Sequence, residues 1–249
     1  MWQIGIDKVI DRARELGLEA EFPRNLSVSL GTASVSLLNF CQAYSVFPRG
    51  GSTVRPRLVL TVKDAWGETL YTAKKKTHRA MSRQTAYIIT YLMQEVVRHG
   101  TGWRVKALNR PVAGKTGTTD EQKDAWFMGF SPYLLTGAYV GFDEPKPMGK
   151  YETGSRAAAP IWLGYRQAVE QEYPVQDFKR PPGVVMARID AENGLLAAQN
   201  AKQSYSLPFK AGTQPTRISP GSGTQTAGGS GEGGREPAAN SDEMLKEIF

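Results

Sequence analysis

Apolar positions along the chain keep a helical spacing in some stretches and an extended, strand-like run in others. Ile6, Val9, Ile10, Ala13 and Leu16 recur three or four residues apart, which predicts a helix over 3–17 with Gly17 as its C-terminal cap. A second helix is expected from Thr32 as N-cap, through Leu37, Leu38, Phe40, Cys41, Tyr44 and Phe47, until Pro48 stops it and Gly50-Gly51 turns the chain. Leu58–Val62 and Thr69–Tyr71 flank Asp64-Ala65-Trp66-Gly67, a hairpin pattern. Ser82 is placed to cap a third helix ending at His99-Gly100. Its Ile88, Ile89, Leu92, Met93, Val96 and Val97 give it a broad apolar surface that should be mostly buried. Three apolar or alternating runs follow, 112–120, 124–131 and 134–142. Their connections of about 2–5 residues suit hairpins, so they should form three consecutive antiparallel strands. After a loop of small residues at 152–156, Pro160 fits the first turn of a helix reaching about Tyr173 and packed on that sheet. Val184–Asp190 and Leu195–Ala197 flank a turn containing Asn193-Gly194, a strong hairpin signal.

The expected class is therefore α+β, an antiparallel sheet flanked by helices. Residues 1–178 form its main body and 179–206 a C-terminal β extension. From Leu207 onward Gly, Ser, Thr and Pro dominate, so 207–249 reads as a disordered tail. Its last residues, Ser241–Phe249, suffice for one short amphipathic turn that is not stable alone.

Composition changes this picture little. Hydrophobic residues make up 40% of 249, enough for a sizeable core. The single cysteine, Cys41, sits in an apolar run and reads as a buried structural thiol, so no intrachain disulfide forms and the compartment stays open. Net charge is +7; residues 207–249 hold four Lys/Arg against five Asp/Glu, so the body carries the excess. A basic body suits an anionic neighbour such as cell-wall polymer, acidic lipid or nucleic acid. Nucleic acid is disfavoured, because no zinc spacing, RNA-binding aromatic signature or basic helix occurs. Lys74-Lys75-Lys76 reads as a solvated turn. No apolar run approaches ~18 residues and no signal peptide opens the chain. No metal or organic cofactor is implied.

The candidate chemistry sits in Val112-Ala113-Gly114-Lys115-Thr116-Gly117-Thr118-Thr119-Asp120, a strand presenting one lysine and three hydroxyls. Lys115 supplies positive charge, Thr116 and Thr118 can hydrogen-bond a carboxylate, and Gly117 admits close approach of another chain. An exposed strand edge can also pair with an extended peptide. A P-loop is the competing reading of Gly-Lys-Thr, but it needs glycine where Asn109 stands and a following helix where strands follow. His78 and His99 are the two histidines; His99 lies at a helix C-terminus, where a structural role is expected, so a Ser-His-Asp triad is poorly supported.

These residues carry a resemblance. Lys-Thr-Gly on a strand is similar to the third motif of penicillin-binding proteins and class A β-lactamases. With it go Pro23-Arg24-Asn25-Leu26-Ser27, Leu30-Gly31-Thr32-Ala33-Ser34, Ala43-Tyr44, Gly50-Gly51, Gly100-Thr101-Gly102, Asp124-Ala125-Trp126-Phe127 and Ala159-Pro160-Ile161-Trp162. Over roughly residues 1–200 the chain resembles the C-terminal part of the transpeptidase domain of a class A (bifunctional) penicillin-binding protein. The resemblance implies a partial domain of the β-lactamase/transpeptidase-like fold and a peptidoglycan D,D-transpeptidase with an acyl-serine mechanism. Stem peptides and β-lactams would be its ligands, and the N-terminal part of its own domain its partner. Lys115 would position substrate and tune the site's electrostatics, Thr116, Gly117, Thr118 and Thr119 would bind substrate, and the Thr118 backbone N–H would form half of an oxyanion hole. The family is anchored by an N-terminal helix, with its catalytic domain at the periplasmic face of the inner membrane. No such helix stands here, so the chain reads as a fragment or truncated frame.

Two motifs that the family needs are missing. No serine is followed by lysine at +3 or by asparagine at +2, and no Tyr-x-Asn substitutes. The fragment is expected to be inactive alone. A β-lactamase-type hydrolase and a non-catalytic penicillin-binding or sensor module remain alternatives; the hydrolases usually lack an extension like residues 180–200.

Overall fold

A computed structural model describes residues 4–220, which fall into two compact units divided between Lys179 and Arg180. The first opens with helix α1 (Ile6–Glu15), whose one fully buried side chain is Ile10. Gly17, at φ +90°, ends it as the spacing predicts. Its N–H returns to the Arg14 carbonyl (2.9 Å) and the Leu18 N–H to that of Ala13 (3.0 Å), which together satisfy two orphan carbonyls.

Helix α2 (Leu37–Tyr44) starts later than Thr32. The Thr32 hydroxyl is taken up by Ser27 (3.0 Å), and the Ser36 hydroxyl accepts the Asn39 N–H (3.2 Å) instead. The helix also stops before Phe47, in a series of turns that reaches Gly50 and Gly51 at φ +60° and +90°. Its Cys41 thiol is half-buried rather than buried, pushed up by desolvation and partly offset by a backbone hydrogen bond from Gly137.

Strands β1 (Thr61–Lys63) and β2 (Thr69–Thr72) form the expected hairpin, with Leu58–Leu60 lying outside it. The Asp64 carboxylate closes its tip by accepting the N–H groups of Trp66 (2.9 Å) and Glu68 (2.8 Å). Lys74, Lys75 and Lys76 after it are exposed. Helix α3 (Arg83–Arg98) is capped by Ser82, which accepts the Thr85 N–H, and buries Met93, Val96 and Val97.

Strands β3 (Ala113–Thr118), β4 (Asp124–Phe130) and β5 (Leu135–Gly141) make one antiparallel sheet in that order, with β4 central. The continuous apolar sequence of β4 is explained by cover on both faces. One face packs Phe127 edge-on against Trp162 (5.2 Å between centroids), with Val97, Val105, Leu108 and Ala125 around them. The other sets Phe130 with Met93 and Ala113, and Trp126 against Phe40 (5.7 Å). Helix α4 (Ala159–Val169) carries Trp162, whose indole N–H donates to the carbonyls of Thr136 (2.9 Å) and Gly129 (3.3 Å). Arg166 on α4 is fully buried, paired with Glu170 and hydrogen-bonded to the Ser131 hydroxyl (2.9 Å) and the Leu134 carbonyl (3.1 Å). The loop expected at 152–156 becomes helical from Gly154, and residues 154–158 form a wide helical turn that runs straight into α4.

In the second unit β6 (Val184–Asp190) finds its main partner not in 195–197 but in β7 (Ser204–Lys210). The Asn193-Gly194 turn does form, with Gly194 at φ +72°, yet it yields a single bridge, Ile189 to Leu196. A tail beginning at Leu207 is therefore overturned. Leu207 lies inside β7, and Leu196 pairs onward with the chain at Arg217 (2.9 Å) and Ser219 (2.8 Å). Residues 221–249, with the short segment Ser241–Phe249, lie outside the described residues. Among the described residues no helix is long and apolar enough to cross a membrane.

Candidate active site

The sheet's outer strand, β3, carries the lysine and hydroxyls, and its register decides where they point. The Thr119 N–H donates to the Asp124 carbonyl (3.1 Å), so Thr119 and the odd residues before it turn their backbone groups toward β4. Thr116 and Thr118 fall on the alternate positions, and their N–H and C=O groups face outward, where no strand lies among the described residues. Outward N–H groups on a strand edge can receive either an extended peptide or a developing oxyanion.

Lys115 sits opposite Met128 and is half-buried. Its ammonium donates to the Thr116 carbonyl (3.2 Å), which holds the charge at the same outer edge. Burial lowers its pKa below the ordinary lysine value, and among the described residues no carboxylate offsets the desolvation.

Thr116 and Thr118 share the opposite face of the strand. The Thr116 hydroxyl meets that of Thr101 (2.7 Å), and the Thr118 hydroxyl accepts the Gly154 N–H (3.0 Å). Each hydroxyl with one partner can still donate or accept once more. Gly117, between them, rests on Trp126: a Cβ there would lie 3.2 Å from the Trp126 Cβ. The structure thus brings Lys115, Thr116, Gly117 and Thr118 together. Thr119 is drawn away, since its hydroxyl accepts the Asp124 N–H (2.8 Å) and closes the turn into β4.

Neither histidine joins the group. His78 bonds through Nδ1 to the Thr53 hydroxyl (2.9 Å) and through Nε2 to the Glu15 carbonyl (3.3 Å). His99 stands exposed beside Glu95 (3.6 Å). Among the described residues no cluster of His, Cys, Asp or Glu could hold a metal ion. Sequence reasoning missed two contributors, Thr101 as a partner of Thr116 and Gly154 as a donor to Thr118. Gly100-Thr101-Gly102 stood out as a pattern, whereas nothing near Gly154 in sequence signals its contact.

Comparison with known proteins bears on the family and the fold. The family model for the penicillin-binding protein transpeptidase domain matches residues 17–162, and that for the penicillin-binding protein 1A C-terminal domain matches residues 180–222. Penicillin-binding protein 1A of Aquifex aeolicus is 36% identical over 213 residues, 86% of this chain and 29% of the relative. That of Neisseria meningitidis is 33% identical over 256 residues, 100% of this chain and 31% of the relative. The chain therefore spans about a third or less of these relatives' length. The crystal structure of penicillin-binding protein 1A from Haemophilus influenzae superposes with a TM-score of 0.81 at 28% identity, over 88% of this chain and 38% of that one. The PonA1 protein from Mycobacterium tuberculosis in complex with penicillin V shares the fold, with a TM-score of 0.64 at 24% identity over 71% of this chain and 53% of that one. An α+β fold with a Lys-Thr-Gly edge strand, matched over most of its first unit by one family model, leaves one conclusion: the chain belongs to the penicillin-binding protein transpeptidase family, in its class A branch.

Proposed function

We propose that this chain supplies the substrate-binding and oxyanion-forming wall of a peptidoglycan D,D-transpeptidase. The observation that supports it most is the outer edge of β3, where the backbone of Thr116 and Thr118 and the ammonium of Lys115 converge. A donor stem peptide would lie along this edge as an added strand. Thr116 and Thr118 would hold its terminal carboxylate, with Lys115 supplying the compensating charge. A serine hydroxyl would attack the penultimate D-alanine carbonyl, and the N–H of Thr118 would stabilise the oxyanion as the C–N bond breaks and D-alanine leaves with the added proton. The acyl-enzyme would then pass its acyl group to an acceptor amine. A β-lactam would enter by the same route and acylate the same serine.

No serine of this chain stands in Ser-x-x-Lys or Ser-x-Asn, so we assign the nucleophile and its base to sequence outside these 249 residues. Residues up to about 178 would complete a transpeptidase domain with that sequence, working at the periplasmic face of the inner membrane. Residues from 179 to about 220 would form a β module beyond it. That module, seen here as β6 and β7, favours the transpeptidase over a β-lactamase-type hydrolase. A fluorescent penicillin tests the assignment. It should label an intact protein that contains this sequence together with a Ser-x-x-Lys segment, and leave the 249-residue chain unlabelled. A covalent label on any serine of this chain would contradict it.

A further inference from the structure

The Thr118 hydroxyl accepts the Gly154 N–H, which occupies one of its two lone pairs. With a lone pair engaged on the Gly154 side, its proton is left to donate elsewhere. Gly154 can come this close only because it lacks a side chain. A Cβ there would run into the Trp126 carbonyl oxygen and lie 2.6 Å from that of Gly117.

Two hydrogen bonds from the chain leading into Gly154 converge on one residue. The Gln122 carbonyl accepts the Met148 N–H (3.1 Å), and its side-chain oxygen accepts the Tyr151 N–H (2.7 Å). The backbone is strained at this point. Glu121 (φ +58°), Gln122 (φ +56°) and Tyr151 (φ +73°) are three of the four non-glycine residues at positive φ among the described residues, and all three meet here. Such conformations persist only where the surroundings over-determine them, and they concentrate where a site must be held in one geometry.

We propose that Gln122 is a positioning residue for the transpeptidase site. It latches the β3–β4 turn to residues 148–153, which sets Gly154 against Thr118 and aims the Thr118 proton at the anionic end of the donor peptide. Gln122 acts through Thr118 and touches no substrate. The inference rests on the reading of Thr118 as a carboxylate ligand, and a mutant cycle separates the two.

The measurement is the second-order rate of acylation by a penicillin in the intact protein, with the melting temperature alongside. Thr118→Val removes the hydroxyl at constant shape and should slow acylation about 10- to 100-fold. Gln122→Gly accepts the positive φ but loses the side-chain hook, and should slow it roughly 3- to 10-fold with little change in melting temperature. Gln122→Asn tolerates the same backbone, falls one methylene short of Tyr151, and should behave alike. Gln122→Glu keeps an acceptor oxygen and should restore the rate. The double variant Thr118→Val/Gln122→Gly should be no slower than Thr118→Val alone. Wild-type rates for Gln122→Gly and Gln122→Asn, or losses that multiply with that of Thr118→Val, would overturn the latch. A wild-type rate for Thr118→Val would overturn the reading of the site, and the latch with it.

Discussion

Lys115 carries the electrostatics of the β3 edge, and its surroundings make that measurable. Half-burial with no carboxylate partner among the described residues disfavours the ammonium, so its folded pKa lies below the ordinary 10.5. The sign follows: between its folded and unfolded pKa values the folded chain binds fewer protons than the unfolded one, so stability gains from this group as pH rises through that window. Competitive acetylation followed by mass spectrometry should find Lys115 half-deprotonated at a lower pH than a free lysine side chain. A Lys115 midpoint equal to the free side chain's or higher would contradict the burial argument. The site's own residues were legible in sequence because they are consecutive: Lys115 to Thr118 is one strand. Gly154 and Gln122 were not, since their contacts span 36 and 29 residues and no local pattern marks them. Thr119 shows the converse. It continues the row of hydroxyls in sequence, but the turn into β4 takes its side chain for the backbone.

At the level of elements, periodicity located each helix and strand of the main sheet, while the ends depended on partners that periodicity does not report. The start of α2 is the clearest case. Thr32 and Ser36 are both good caps by residue type, and the difference between them is that Ser27 claims the Thr32 hydroxyl. Ser36→Ala should therefore cost about 1 kcal/mol in chemical denaturation, and Thr32→Ala only a few tenths. Equal losses, or the reverse order, would place the cap where the sequence first suggested. Strand β7 was hidden for another reason. Its partner β6 lies across the Asn193-Gly194 turn, whose hairpin signal points to Leu195–Ala197. Pro208 inside β7 lowers its apparent strand character, though a strand at a sheet edge tolerates proline.

On the scale of the whole molecule, class and sheet order followed from short connections between apolar runs, and the family from motifs set on those strands. Composition misplaced the boundary of the tail. Leu207 to Ser219 is poor in apolar residues, yet its backbone pairs with β6 and Leu196. Backbone pairing needs no hydrophobic side chain, and a composition count does not detect it. The central claim concerns β3: its edge, with Lys115, forms the wall on which a carbonyl is attacked. A preorganised charge or donor of this kind is worth about 3–4 kcal/mol, or roughly 100- to 1000-fold in rate. Lys115→Ala should retain the fold, because the lysine is only half-buried and the Thr116 carbonyl it bonds faces the open edge of the strand. Lys115→Arg should also be impaired, since the guanidinium is larger and differently shaped. The decisive measurement is the acylation rate of the intact protein by a fluorescent penicillin, wild type against Lys115→Ala with both proteins folded. A fall of about 100- to 1000-fold is the predicted result, and acylation at the wild-type rate by both Lys115 variants would show that this lysine is an ordinary solvated strand residue.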